Sequence, residues 1–266
     1  MRVLRTWLLG ILVWAGAESA WATFINPLGG GNGRELSLQT ILDQRRSTAG
    51  QVSFDVDDHQ RLDDTLWEFS GGRSWATVVI EIASYADGNR FGLYDPLDPT
   101  RRVEVFNGAA TGGSRTEIEL TPTAGGFEVR INGQARQTFG SDDFGFYLTS
   151  KVNRTFFSDP ALNPDVFPRP PNKNEPVDHL VSYTGRAGQT LQVGNQALSW
   201  GAQDAVLAWE DLFNGGDRDY NDLVLLVQNV HPRDPDAVTV PDGGSSVVLL
   251  GIGLAVVCGF RGIRRD

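Results

Sequence analysis

The chain has 266 residues, 40% hydrophobic and 21% charged, with 33 acidic against 23 basic side chains and a net charge of −10. That length holds one large domain or two small ones and is ample for a hydrophobic core. The acidity argues against a nucleic-acid partner, which needs a basic face to neutralise phosphates, and the single cysteine, Cys258, excludes an intrachain disulfide framework.

Residues 1–22 read as a secretory signal. Arg2 and Arg5 form a basic start, Trp7 to Ala17 an apolar stretch, and Ala20-Trp21-Ala22 places small residues where a signal peptidase reads them, so cleavage is expected before Thr23. A β-sandwich domain is expected over 23–230, opened by one short helix at Ser37–Arg45, where Leu38, Ile41 and Leu42 have helical spacing. Strands are expected near Ala76–Ala83, Phe91–Tyr94, Arg102–Phe106, Thr116–Leu120, Phe127–Ile131, Gln134–Phe139 and Phe144–Leu148. More follow near His179–Tyr183, Thr190–Val193, Ala205–Trp209 and Leu223–Val227. Asn132-Gly133 is a type I′ hairpin signal between two of them. Even spacing and glycine-rich turns point to an all-β, jelly-roll-like sandwich rather than βαβ units. The Pro- and Asn-rich segment Asp159–Pro176 reads as a long surface loop, and His231–Val240 as a linker.

The segment with most chemistry runs from Trp209 to Leu223. Glu210, Asp211, Asp217, Asp219, Asn221 and Asp222 lie within it, around Gly215-Gly216. Hard cations such as Ca²⁺ take six to eight oxygens at about 2.3–2.6 Å. On a straight strand, alternate side chains such as Asp217, Asp219 and Asn221 would stand about 6.5 Å apart, too far for one ion. A loop curled at the glycine pair can gather them. The spacing D-x-D-x-N is similar to the first half of an EF-hand loop, but Asp222 stands at the glycine position and Gln228 at the bidentate glutamate position. The other reading is an Asx-rich turn, with carboxylates bonding local N–H groups. So many like charges between apolar strands would repel without a cation, which favours metal.

The same segment resembles the bacterial domain-of-unknown-function family numbered 4114, with a hallmark near F-E-D-L-x-G-G-D-x-D-F/Y-N-D. Here Glu210-Asp211-Leu212 and Gly215 to Asp222 carry it, with Trp209 at the leading aromatic. The resemblance spans about residues 75–229. It implies a β-rich, calcium-associated module of secreted or surface proteins, without established enzymatic activity. The family tends to carry an Asn/Asp-rich loop and a histidine upstream, where this chain has Asn163, Asp165, Asp178 and His179. Asp178 and His179 are therefore expected to orient the site rather than to bind the ion.

The C-terminus, 240–266, is organised as an address. Val240-Pro241-Asp242-Gly243-Gly244 precedes an apolar run from Val247 to Phe260, inside an expected transmembrane segment at 245–260. Arg261, Arg264 and Arg265 follow as a basic stop. The order resembles the VPDSG variant of the PEP-CTERM sorting tails of Gram-negative bacteria, with Gly243 where that variant often has serine. The resemblance implies an exosortase-type membrane protease as a partner, transient membrane anchoring through the tail, and a fate at the cell surface or in the extracellular polymer.

The sequence lacks G-x-S-x-G, H-E-x-x-H and a Cys-His pair in the mature body. A non-enzymatic surface or matrix protein is the expectation, with exopolysaccharide as the partner. A glycosidase needs only two carboxylates and is one alternative. A carbohydrate-binding module is the other, with Trp67, Trp75, Trp200, Trp209 and Tyr220 as candidate stacking residues and Trp67 the one expected at the surface. The acidic run at Asp55-Val56-Asp57-Asp58 with Asp63-Asp64 reads as a solvated face.

Overall fold

A computed structural model describes residues 22–27, 35–47, 54–71, 73–81, 88–169 and 173–233. The expected signal up to Trp21, the sorting residues Val240–Gly244, the 245–260 segment and Arg261, Arg264 and Arg265 lie outside the described residues. Helix α1 (Leu38–Arg45) forms where the apolar spacing places it, capped by Ser37, whose Oγ accepts from the Thr40 N–H at 3.3 Å.

The strands, in chain order, are β1 (Trp67–Phe69), β2 (Arg73–Glu81), β3 (Arg90–Asp95), β4 (Asp98–Phe106), β5 (Arg115–Thr123), β6 (Gly126–Ile131), β7 (Gln134–Phe139) and β8 (Gly145–Thr149). They continue with β9 (Thr155–Phe157), β10 (Val166–Arg169), β11 (Lys173–Pro176), β12 (Leu180–Thr184), β13 (Thr190–Val193), β14 (Gln196–Ser199), β15 (Asp204–Trp209), β16 (Leu223–Gln228) and β17 (Val230–Pro232). Seven form one antiparallel sheet in the order β12-β15-β16-β2-β5-β6-β7, and four form a second, β4-β3-β8-β9.

One apolar core joins the two sheets. Ala76, Val78, Ile118, Leu207 and Leu225 of the larger sheet meet Phe91, Leu93, Phe146 and Leu148 of the smaller. This is a sandwich, and β6 shows its alternation, with Phe127, Val129 and Ile131 buried between half-exposed neighbours. The β12-β15-β16-β2 end of the large sheet is covered on its outer face too. There α1, the hairpin β13–β14 and Trp200 pack on Val181, Val206, Val224 and Leu226. Strands buried on both faces read as continuous apolar runs, which is why β15 is buried along its whole length and β16 up to Gln228.

Asn132 and Gly133 both adopt positive φ, 50° and 74°, and turn β6 into β7. The segment Asp159–Pro176, expected as an open loop, instead holds a short 3₁₀ turn at Pro160–Leu162 and the hairpin β10–β11. Asn163 ties it down: its Oδ1 accepts from the Phe157 N–H at 2.7 Å and its Nδ2 donates to the Val177 carbonyl at 2.7 Å. His231 and Pro232, expected in the linker, belong to β17, which pairs with β1. The folded body therefore extends through Pro232.

Candidate metal centre

Trp209 at the end of β15 pairs with Leu223 at the start of β16. Residues 210–222 are thus the connection between two central strands of the large sheet. Five of them leave ordinary backbone space: Asn214, Gly215, Gly216, Arg218 and Tyr220 have φ of 61°, 68°, 41°, 59° and 51°. Such a run curls the chain tightly instead of extending it. Gly216 is required by proximity as well as by φ, because a Cβ there would stand 2.3 Å from Glu210 Oε1.

Glu210 organises the curl. Its Oε1 accepts from the Leu212 N–H at 3.1 Å and its Oε2 from the Arg218 N–H at 2.9 Å. Asp219 accepts from the Asn221 N–H at 3.3 Å and from the Asn221 side-chain amide at 2.7 Å. Asp222 Oδ2 accepts from the Asp211 N–H at 2.8 Å, and Asp211 Oδ2 accepts from Asn89 Nδ2 at 2.8 Å. Local N–H bonding, the Asx-turn reading, is therefore present, but it does not exhaust the oxygens.

Two carboxylate triads result. Glu210, Asp219 and Asp222 each present an oxygen within 4.8 Å of the others, and all three residues are buried. Glu35, Asp217 and Asp219 form a second triad with the same spacing, in which only Asp219 is fully buried. The structure thus gathers the six expected residues, Glu210, Asp211, Asp217, Asp219, Asn221 and Asp222, into one neighbourhood. It adds two residues with no local sequence signal, Glu35 before α1 and Asn89 before β3.

The electrostatics are those of an anion-crowded interior. Burial, opposed by the Leu212 N–H and reinforced by the charges of Asp217 and Asp219, pushes the Glu210 carboxyl up to about 8. Burial, then the charges of Glu210 and Asp211, pushes Asp222 well above the carboxylate range. Burial also raises Asp211, with the Asn89 hydrogen bond pulling against it. Glu35 is raised by burial and then by Asp219, Asp217 and Asp211.

Among the described residues, three buried oxygens in this region have no hydrogen-bond partner: Asp211 Oδ1, Asn89 Oδ1 and Asn221 Oδ1. A buried acceptor without a donor costs about 1–3 kcal/mol. The donor set is all oxygen, carboxylate and amide, which fits a hard cation such as Ca²⁺ and not a thiolate- or imidazole-seeking metal. Glu210, Asp219 and Asp222, with Asp211 and Asn89 beside them, are the residues that would hold it.

His179 sits beneath this loop with both ring nitrogens engaged. Nδ1 lies 2.8 Å from the Glu210 carbonyl oxygen, and Nε2 lies 3.0 Å from Asp165 Oδ2. A carbonyl only accepts, so Nδ1 carries a proton and donates. Phe156 stacks on the ring at 3.7 Å between centroids. Burial pushes Asp165 up, but the hydrogen bond and charge of His179 hold it below its usual range. Asp165 also accepts from the Asn214 N–H at 2.5 Å, which links this buried pair to the curl. His179 thus braces the loop from below. The Asp178 side chain turns elsewhere, to Thr23 Oγ1 at 3.0 Å and the Leu180 N–H at 3.1 Å, while its carbonyl accepts from Tyr220 OH at 2.6 Å.

The five aromatic residues expected as stacking candidates do not form an exposed platform. Trp67, expected at the surface, is 0% exposed: its ring meets Phe146 at 5.3 Å and its indole N–H donates to the Asp64 carbonyl at 2.7 Å. Trp200, Trp209 and Tyr220 are buried as well. Trp75 is half-buried, with the Arg115 guanidinium 5.4 Å above its ring. Asp55, Asp57 and Asp58 lie exposed around the buried Val56, with Asp55 Oδ1 accepting from the N–H groups of Asp57 and Asp58 at 2.9 and 3.2 Å, whereas Asp64, expected on the same solvated face, is half-buried and accepts from Ser182 Oγ at 2.6 Å.

No curated protein and no solved structure matches the chain. The matched family region begins at β6 and takes in the acidic loop, whereas β2 lies between β16 and β5 in the same sheet, so strands before the matched region complete the sandwich. The matched tail motif is a C-terminal sorting signal of an exosortase-type system and marks an exported, surface-associated protein. Residues 126–229 match the family DUF4114, a domain of unknown function, and residues 239–264 match the VPDSG-CTERM motif.

Proposed function

We propose that this exported protein is a non-enzymatic, calcium-stabilised component of the cell surface or extracellular matrix, associated there with exopolysaccharide. The carrying observation is the buried triad Glu210, Asp219 and Asp222 beside three partnerless oxygens. A divalent ion offsets the mutual repulsion of these carboxylates and satisfies oxygens that no protein donor reaches. Burial also weighs against a glycosidase. Its two carboxylates must touch a sugar, and Glu210 and Asp219 are 0% exposed. An acidic body repels acidic polymers at long range, so divalent cations would favour contact with such a polysaccharide.

The test is thermal unfolding of the metal-stripped protein, with and without millimolar Ca²⁺, beside Asp219→Asn. At a hundredfold excess over Kd, a bound ion adds about 2.7 kcal/mol. That is roughly 5–10 °C in midpoint for a body of this size. A rise that Asp219→Asn loses supports the reading, and identical curves with and without calcium refute it.

A further inference from the structure

We propose that the acidic loop takes two divalent cations rather than one, with Asp219 bridging them, and that the outer ion clasps the N-terminal segment to the loop through Glu35. The proposal rests on the calcium reading above and extends it.

The two triads meet only at Asp219. The 4.8 Å span of each matches a single ion's ligand shell, since opposite oxygens around calcium stand about 4.6–5.2 Å apart. A carboxylate has two oxygens, so Asp219 can face both ions. The inner position is the buried triad with Glu210 and Asp222. The outer position is half-exposed, with Glu35 and Asp217.

An orphan oxygen lies beside the shared carboxylate. Asn221 is 0% exposed, and its Oδ1 has no partner. The same amide's Nδ2 donates to Asp219 Oδ2 at 2.7 Å and to the Leu36 carbonyl at 2.8 Å. The orphan oxygen therefore sits on a group wedged between the bridging carboxylate and the residue next to Glu35. Six carboxylates converge around the loop, counting Asp211, so one divalent ion would leave most of their charge uncompensated.

The N-terminal segment is already laid across this loop. The Asn26 N–H donates to the Arg218 carbonyl at 2.7 Å, and Asn26 Nδ2 donates to the Asp217 carbonyl at 3.2 Å. Glu35 stands just before α1, whose Leu38 and Leu42 are buried. An ion held by Glu35 would close this clasp. It would also make the docking of residues that precede the matched 126–229 region depend on calcium.

Calcium stoichiometry of the full chain in mild detergent, by calorimetric titration of stripped protein with Ca²⁺ alone, decides it. The expected result is two ions, with the outer one weaker because its ligands are half-exposed. Glu35→Gln and Asp217→Asn should each bind one ion, with a metal-free midpoint at or above that of the wild type because each removes a like charge from the cluster. In calcium, Glu35→Gln should also gain tryptic cleavage at Arg45 and Arg46 by tenfold or more in rate. One ion in the wild type, or two in Glu35→Gln, overturns the bridge while leaving the calcium reading standing. No calcium bound at all overturns both.

Discussion

Without an ion, the loop makes stability fall as pH rises, and the size of the fall follows from Glu210. Its carboxyl is held at about 8 in the folded protein, against 4.5 when exposed, because burial and the charges of Asp217 and Asp219 outweigh the Leu212 N–H. A folded state that grips a proton more tightly than the unfolded chain is favoured at low pH. That advantage is complete below about 4.5 and is lost as pH rises toward 8. Between pH 5 and pH 8 Glu210 alone removes about 3 kcal/mol, or roughly 6–12 °C of midpoint for a body of this size. Asp178, raised to about 6 chiefly by burial, acts in the same direction within the same window. Asp165, held low by His179, loses its contribution only at more acid pH. Asp222→Asn should flatten the slope to about half. Its amide can still accept from the Asp211 N–H and donate to Glu210, while a second carboxyl that burial, Glu210 and Asp211 push well above its usual range is removed. The assay is thermal unfolding of stripped protein by circular dichroism at pH 5, 6.5 and 8. Saturating Ca²⁺ should remove most of the slope, because the ion holds the carboxylates ionised. A metal-free midpoint that stays level or rises from pH 5 to pH 8 refutes the account of Glu210.

Gly216→Ala should cost about 2 kcal/mol or more and abolish the calcium response, since its Cβ would meet Glu210 Oε1 at 2.3 Å from a φ of 41°; urea unfolding with and without calcium measures both. His179→Gln should cost about 1–3 kcal/mol by urea midpoint, because it disturbs the buried hydrogen bonds to the Glu210 carbonyl and to Asp165. Trp67→Ala should lower stability by about 3–5 kcal/mol, as a core truncation does, while leaving polysaccharide retention per folded molecule unchanged in a pull-down. Replacing Arg261, Arg264 and Arg265 together by serine should reduce the surface-associated fraction and accumulate unprocessed chain, read by cell fractionation and intact mass.

Local chemistry decided what was legible in the sequence. Strands β7 and β13 lie at the residues their patterns mark, Gln134–Phe139 and Thr190–Val193, because turn residues bound them on both sides. The short strands β1, β9 and β17 carry too few residues for a period; β9 folds back on the adjacent β8, whereas β1 and β17 are paired across the chain, with Trp67 opposite Pro232. The hairpin β10–β11 is built from a Pro-rich stretch that local propensity assigns to a loop. The burial of Trp67 is hidden from the sequence for a related reason. Its neighbours Asp64 and Glu68 are polar, yet Asp64 serves the indole through its backbone carbonyl, so the ring enters the core.

The acidic loop follows the same rule. Glu210 to Asp222 were readable because they are contiguous, whereas Glu35 and Asn89 reach the site only through the fold. This split has a consequence for an exported chain. If calcium fills the loop, a body whose buried carboxylates repel is weakest where calcium is scarce, and extracellular modules bind calcium at about 10⁻⁴–10⁻³ M. On the calcium reading, the loop stays empty before export, when a loosely held structure eases passage, and fills outside the cell. Filling then joins β15 to β16 at the centre of the large sheet, and through Glu35 it joins the N-terminal segment to both. On the same reading, the ligands drawn from distant parts of the chain do what those within the loop cannot, tying the N-terminal segment to the sheet. Closing the loop constrains only its own thirteen residues, whereas an ion shared with Glu35 fixes a connection that spans most of the folded body.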